Sequence, residues 1–176
     1  MNRRDFLRIG AGATATLILR TGLAKPNAPL ERSLGFYNTH TDETLKTVYW
    51  AGGEYQPEAL REINHILRDH RTGDVHSMDA KLLDLLYLLQ TRTGRKDRFH
   101  IISGYRSPAT NAMLNARSSG VAKRSYHIQG KAIDIRLPGY DLKKLHQAAL
   151  ALKAGGVGYY PSSNFIHVDV GPVRRW

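Results

Sequence analysis

The residues best suited to chemistry lie in the last third of the chain. His127, Gly130, Ala132 and Asp134 form the pattern His-x-x-Gly-x-Ala-x-Asp, and His167 follows on a later apolar segment. Two imidazoles and one carboxylate are a ligand set for zinc (Zn2+), with a fourth position left open for water. An ion bound in this way polarises a carbonyl and acidifies its water, so the chemistry is metal-assisted hydrolysis. Asp134 sits between Ile133 and Ile135, and an ionised carboxylate among apolar neighbours is costly unless paired or metal-bound. A histidine alone in a strand is more often a hydrogen-bonded structural residue, but its fixed spacing to this aspartate favours a ligand. The chain has no cysteine. That excludes disulfides, thiolate sites, iron–sulfur clusters and cysteine nucleophiles, leaving His, Asp and Glu to hold any metal.

Three further residues are candidates. Arg106 lies in Ser103-Gly104-Tyr105-Arg106-Ser107, directly after an apolar run, at a strand-to-helix junction where loops commonly carry function. Its guanidinium can clamp a substrate carboxylate or steady the charge of a tetrahedral intermediate; the alternative is a structural ion pair with a helix acid. Ser125 can orient a ligand or the substrate backbone, or simply form a turn. Asp169 follows His167 by two residues. It is a candidate general base, or the carboxylate that holds the His167 imidazole from behind, and a carboxylate–histidine–zinc relay favours the second role. His40, His65, His70, His76, His100 and His146 have no comparable company and read as structural or solvated.

The elements that must bring these residues together follow from pattern. Ser33–Thr39 and Thr44–Trp50 are rich in aromatic and β-branched residues around a polar turn at His40–Glu43, which predicts a hairpin. Helices are predicted from Pro57 to about Asp69, Asp79 to Arg92, Pro108 to Ala116 and Asp141 to Lys153. Strands are predicted at Phe99–Ile102, Ala132–Leu137, Val157–Tyr160 and Phe165–Val170, the last two joined by a turn at Pro161–Asn164. Alternation places Ala132, Asp134 and Arg136 on one face of their strand, and Phe165, His167 and Asp169 on one face of theirs. If the two strands are neighbours, Gly130 turns His127 back over that face and the three ligands converge. Helices first and strands late indicate an α+β domain and not a doubly wound parallel sheet.

At 176 residues the chain suits one domain. Residues 1–24 read as a twin-arginine signal segment. Asn2-Arg3-Arg4-Asp5-Phe6-Leu7-Arg8 precedes a short apolar run, Ile9–Leu19, and Gly22-Leu23-Ala24 offers a cleavage site. The run is well short of the ~20 residues that span a bilayer, so no stable membrane span is expected after cleavage. Residues 25–32, with Pro26 and Pro29, read as a linker, and 33–176 as the single catalytic domain. The net charge of +11 falls to about +8 without the four arginines and one aspartate of residues 1–24. Scattered basic residues suit an acidic polymer better than nucleic acid, which is not an expected partner.

The ordered motifs resemble one known family. Ser-x-Tyr-Arg-Ser at 103–107, Ser-x-His-x-x-Gly-x-Ala-x-Asp at 125–134 and His-Val-Asp at 167–169 are similar to those of the M15 zinc metallopeptidases, the D-alanyl-D-alanine peptidase group. Ser103–Asn115, Ser118–Arg136 and Phe165–Trp176 look closer still to the YcbK-like branch of exported murein endopeptidases. The resemblance implies a hedgehog-like domain with a small antiparallel sheet and flanking helices. It also implies zinc ligands at His127, Asp134 and His167, a substrate-facing Arg106, peptidoglycan as partner and a periplasmic location. The expected activity is hydrolysis of peptide cross-links, D,D or L,D; trimming of a terminal D-residue and non-catalytic wall binding are the alternatives. One position departs from the pattern. Where many M15 members carry an acid three residues before the last ligand, this chain has Asn164, which cannot take a proton.

Overall fold

A computed structural model describes residues 30–118 and 120–176. The predicted signal segment and most of the predicted linker lie outside the described residues. Eight strands form one sheet: β1 (Glu31–Asn38), β2 (Thr44–Ala51), β3 (Glu54–Tyr55), β4 (Phe99–Ser103), β5 (Ala132–Arg136), β6 (Gly156–Tyr160), β7 (Phe165–Asp169) and β8 (Arg174–Arg175). Their spatial order is β3-β2-β1-β4-β5-β7-β6-β8. Among the described residues four α-helices accompany them: α1 (Pro57–Ile66), α2 (Ala80–Thr93), α3 (Pro108–Arg117) and α4 (Leu142–Leu152).

The α+β class holds. The sheet, however, is larger than the small antiparallel one expected, and it is mixed, because β1 runs parallel to β4 and β8 parallel to β6. The β1–β4 pair is parallel because the chain from β2 crosses through α1 and α2 before it returns to the sheet. β1 also begins two residues before the boundary placed at Ser33, with Arg32 bonded to Asp84 at 2.8 Å. The two-residue strands β3 and β8 are too short for period-2 patterning to reveal.

Register sorts the two faces of the sheet. Phe36 is opposite Phe99, Ile101 opposite Ile135, Ile135 opposite Ile166, and Ile133 opposite Val168. These residues join a buried cluster with Ile63, Leu82, Leu86, Leu89 and Leu145 from α1, α2 and α4. Each such side chain contributes about 1.5–3 kcal/mol by leaving water. α2 is begun by Asp79, whose side chain accepts from the Lys81 N–H, and ended by Gly94 in the left-handed region. α1 stops at Ile66, short of the predicted Asp69. The Asp69 carboxylate is engaged with later backbone. It accepts from the backbone N–H groups of Arg71 and Ser107, tying the end of α1 to the start of α3. No helix among the described residues is long and apolar enough to cross a membrane.

Candidate metal centre

The alternate face of β5 and β7 carries the polar residues. β5 and β7 are antiparallel neighbours, and Asp134 stands directly opposite His167, with Ala132 opposite Asp169. His127 arrives from a 3₁₀ turn at Tyr126–Gln129, begun by Ser125, whose hydroxyl accepts from the His127 N–H at 3.3 Å. Gly130 ends that turn at φ +65°, and a Cβ there would lie 2.3 Å from the Ser77 carbonyl. Only glycine fits both conditions.

The three side chains meet. His167 Nδ1 lies 2.9 Å from Asp134 Oδ1, His127 Nε2 lies 3.2 Å from the same oxygen, and the two nitrogens are 3.2 Å apart. Donor atoms bound to one tetrahedral zinc at about 2.0–2.2 Å lie about 3.3–3.5 Å from one another. The triangle therefore needs to open by about half an ångström at most to admit the ion. Two imidazole nitrogens in the set suit zinc better than magnesium or calcium, which take oxygen ligands. It is the one group of three potential ligands found among the described residues.

Each imidazole is held from its other nitrogen. His127 Nδ1 donates to the Gly104 carbonyl at 2.7 Å, which leaves the Nε2 lone pair facing the triangle. Gly104 can come this close because a Cβ at that position would strike the Leu67 carbonyl at 2.4 Å. His167 Nε2 donates to Asp169 Oδ2 at 3.0 Å, which leaves Nδ1 facing inward. Asp134 is also fixed: Arg106 Nη2 donates to its Oδ2 at 2.5 Å, and Arg106 Nε donates to Ser103 Oγ at 2.9 Å. Oδ1 is thereby the oxygen offered to a metal.

Electrostatics follow from this packing. Burial opposes the charge on Asp134, yet the two imidazoles outweigh it and hold the carboxyl well below its usual range. Burial pushes the His127 imidazole below its ordinary pKa, against the pull of Asp134. Burial acts the same way on His167, but hydrogen bonds to Asp134 and Asp169 overcome it and its pKa is raised.

The site opens into a cavity of about 620 Å³. Its walls include Arg106, Arg124, Ser125, Tyr126, Tyr160 and Trp176, and Asp134 is the one side-chain carboxylate among its described lining residues.

Comparison with known proteins fits this geometry. Residues 26–176 match the family described as peptidoglycan L,D-endopeptidase MepK. The chain belongs to this family. Escherichia coli K12 has a relative named peptidoglycan L,D-endopeptidase MepK, 46% identical over 99% of this chain and 97% of its own length. Haemophilus influenzae has one named probable peptidoglycan L,D-endopeptidase MepK, 46% identical over 99% of this chain and 95% of its own. No solved structure matches. The M15-type resemblance is borne out, and this MepK family member is a murein endopeptidase.

Within this MepK family site, the sequence candidates take distinct places. His127, Asp134 and His167 form the triangle, and Arg106 touches it. Arg106 is paired with a strand acid that is itself a candidate ligand, which the sequence reading did not anticipate. Ser125 both caps the 3₁₀ turn and lines the cavity. Asp169 is fully buried on the far side of the His167 ring and is not among the residues lining the cavity. Asn164 is exposed in the turn after β6, in the left-handed region at φ 53°, and is not among them either. The six other histidines pack elsewhere: His40 stacks on His70, His76 on Tyr105 and His146 on Tyr159. Sequence reasoning missed the Gly104 carbonyl and the C-terminal Arg174 and Trp176. A backbone acceptor carries no side-chain signature, and two residues near the end of a chain have no periodicity to flag them.

Proposed function

We propose that this chain is a zinc-dependent endopeptidase that cleaves L,D peptide cross-links of peptidoglycan, exported to the periplasm by the twin-arginine route. The observation that carries the zinc reading is the triangle of His127 Nε2, Asp134 Oδ1 and His167 Nδ1, each pair within 3.2 Å, with both outer ring nitrogens engaged. The L,D bond is supported by the names of the relatives, and export by Arg3-Arg4 and the short apolar run behind them.

Zinc held there supplies Lewis acidity to a scissile carbonyl and lowers the pKa of a water. The chain's own residues supply the rest. Gly104 and Asp169 accept from the outer ring nitrogens and so keep both imidazoles in the tautomer whose inward nitrogen carries a lone pair. Arg106 holds its charge beside His127 and Asp134, where it favours negative charge developing on the carbonyl oxygen. Asp169 serves as the carboxylate that positions His167, because its burial keeps it from a water in the cavity. Among the described residues no uncommitted side-chain carboxylate lines the cavity, so none is assigned the role of general base.

Incubation of the full-length protein with purified sacculi, followed by muropeptide mass spectrometry, tests this reading. The expected result is loss of L,D-cross-linked dimers and gain of their monomers, abolished in Asp134→Ala. Loss of a terminal D-residue alone would make the chain a carboxypeptidase, and binding to sacculi with no released product would make it a wall-binding protein.

A further inference from the structure

The triangle and its immediate partners leave the last residues of the chain without a task, yet those residues fold back onto the site. β8 pairs with β6 so that Gly156 stands opposite Arg174. From there the Arg174 guanidinium reaches Asp169 with both ends, Nη1 donating to Oδ1 at 3.1 Å and Nη2 to Oδ2 at 2.6 Å. Asp169 is fully buried. Its Oδ1 also accepts from the N–H groups of Gly156 and Gly171, at 3.0 and 2.8 Å. Oδ2 has a different pair of partners, His167 Nε2 and Arg174 Nη2.

The arginine is itself held in place. It lies against Tyr126 and Trp176, 5.1 and 5.0 Å from their ring centres. A Cβ at Gly156 would fall 2.5 Å from Asp169 Oδ2 and 2.6 Å from Arg174 Nη1, so the contact leaves no slack. Trp176 adds a second restraint: its ring centre is 5.2 Å from that of His167, and its Nε1 donates to the Tyr160 hydroxyl at 2.7 Å.

We propose that Arg174 is a positioning residue for the metal centre, acting through Asp169 to fix the ring of His167. The chain of contacts runs from Arg174 to Asp169 Oδ2, to His167 Nε2, and through the ring to the inward-facing Nδ1. Without the guanidinium, Oδ2 keeps only His167 as a partner, and the carboxylate can swing about the oxygen held by the two backbone amides. His167 then loses a fixed direction. The C-terminal segment is by this account part of the metal centre. The inference rests on the reading of His167 as a metal ligand.

The test measures zinc affinity of the full-length chain by competition with a chelator, and the visible absorption of the cobalt(II)-substituted protein. Arg174→Ala is expected to weaken zinc binding by about tenfold, the lower end of the range for outer partners of metal-bound histidine, and to alter the cobalt bands. Arg174→Lys is expected to fall between, because an ammonium cannot reproduce the two-pronged contact. Arg175→Ala, its neighbour on β8, is expected to match wild type and so controls for the strand. If Arg174→Ala does not fold, Arg174→Lys decides: weaker zinc binding at wild-type thermal stability supports the proposal. Wild-type zinc affinity and cobalt bands in a folded Arg174→Ala or Arg174→Lys protein would overturn it. Asp134→Ala separates this from the ligand reading. Loss of zinc binding there with none in the Arg174 variants defeats the positioning role alone, whereas undiminished binding in Asp134→Ala defeats the site itself.

Discussion

Asp169→Asn separates the two roles open to Asp169, general base or support for His167. The side chain is fully buried and uses both oxygens. Oδ1 accepts from Gly156 and Gly171, while Oδ2 accepts from His167 and Arg174. An asparagine can keep its oxygen on the two backbone N–H groups, but its amide then points N–H bonds at the N–H of His167 and the guanidinium of Arg174. At least one buried donor loses its acceptor, at about 1–3 kcal/mol. Carried through to the metal, loss of such a partner typically weakens affinity 10- to 100-fold, or about 1.4–2.7 kcal/mol. Chelator competition measures the affinity, and sacculus hydrolysis at several zinc concentrations measures the activity. The expected outcome is weaker zinc binding with activity largely restored when zinc saturates the site. A general base gives the opposite pattern: unchanged affinity and a loss of about 10²–10⁴ in turnover that no amount of zinc recovers. That result would refute the positioning role.

Other outcomes follow from the same geometry. Gly130→Ala forces a Cβ into the left-handed region and against the Ser77 carbonyl, costing about 2–4 kcal/mol. Gly52→Ala, with φ +61° but open space around it, costs about 1 kcal/mol; thermal melts of both proteins compare the two. Asp69 ties α1 to α3, and hydrogen bonds from Thr110, Ser107 and Arg71 overcome its burial and lower its pKa to about 2. Because the folded value lies below the unfolded one, its stabilisation of about 2 kcal/mol is present above pH ~4 and is lost as pH falls toward 2. Urea titrations of wild type and Asp69→Asn are expected to differ at pH 7 and to converge near pH 2.

The candidate metal ligands were legible because strand alternation is a short-range rule. With Asp134 on one strand face and His167 on another, a single assumption of neighbouring strands completed the triangle, and the β5–β7 register supplies it. The helices were legible from their leucine and isoleucine spacing and from Asp79 and Asp141 at their starts. What the sequence hid was mostly long-range. The parallel pairing of β1 with β4 depends on a crossover connection, and the tie from Asp69 to Ser107 spans 38 residues. The two-pronged grip of Arg174 on Asp169 follows from a two-residue strand, β8, that no pattern marks. Asn164 was singled out as a missing base, but its place in an exposed turn gives it a backbone task in this chain.

Metal content measured on the purified protein and on Asp134→Ala tests the central claim most directly. The account predicts one zinc per folded wild-type chain and none in the variant, since two imidazoles without the carboxylate leave the triangle open. An equivalent of zinc retained by folded Asp134→Ala, or a wild-type protein that cleaves sacculi while free of metal, would contradict it.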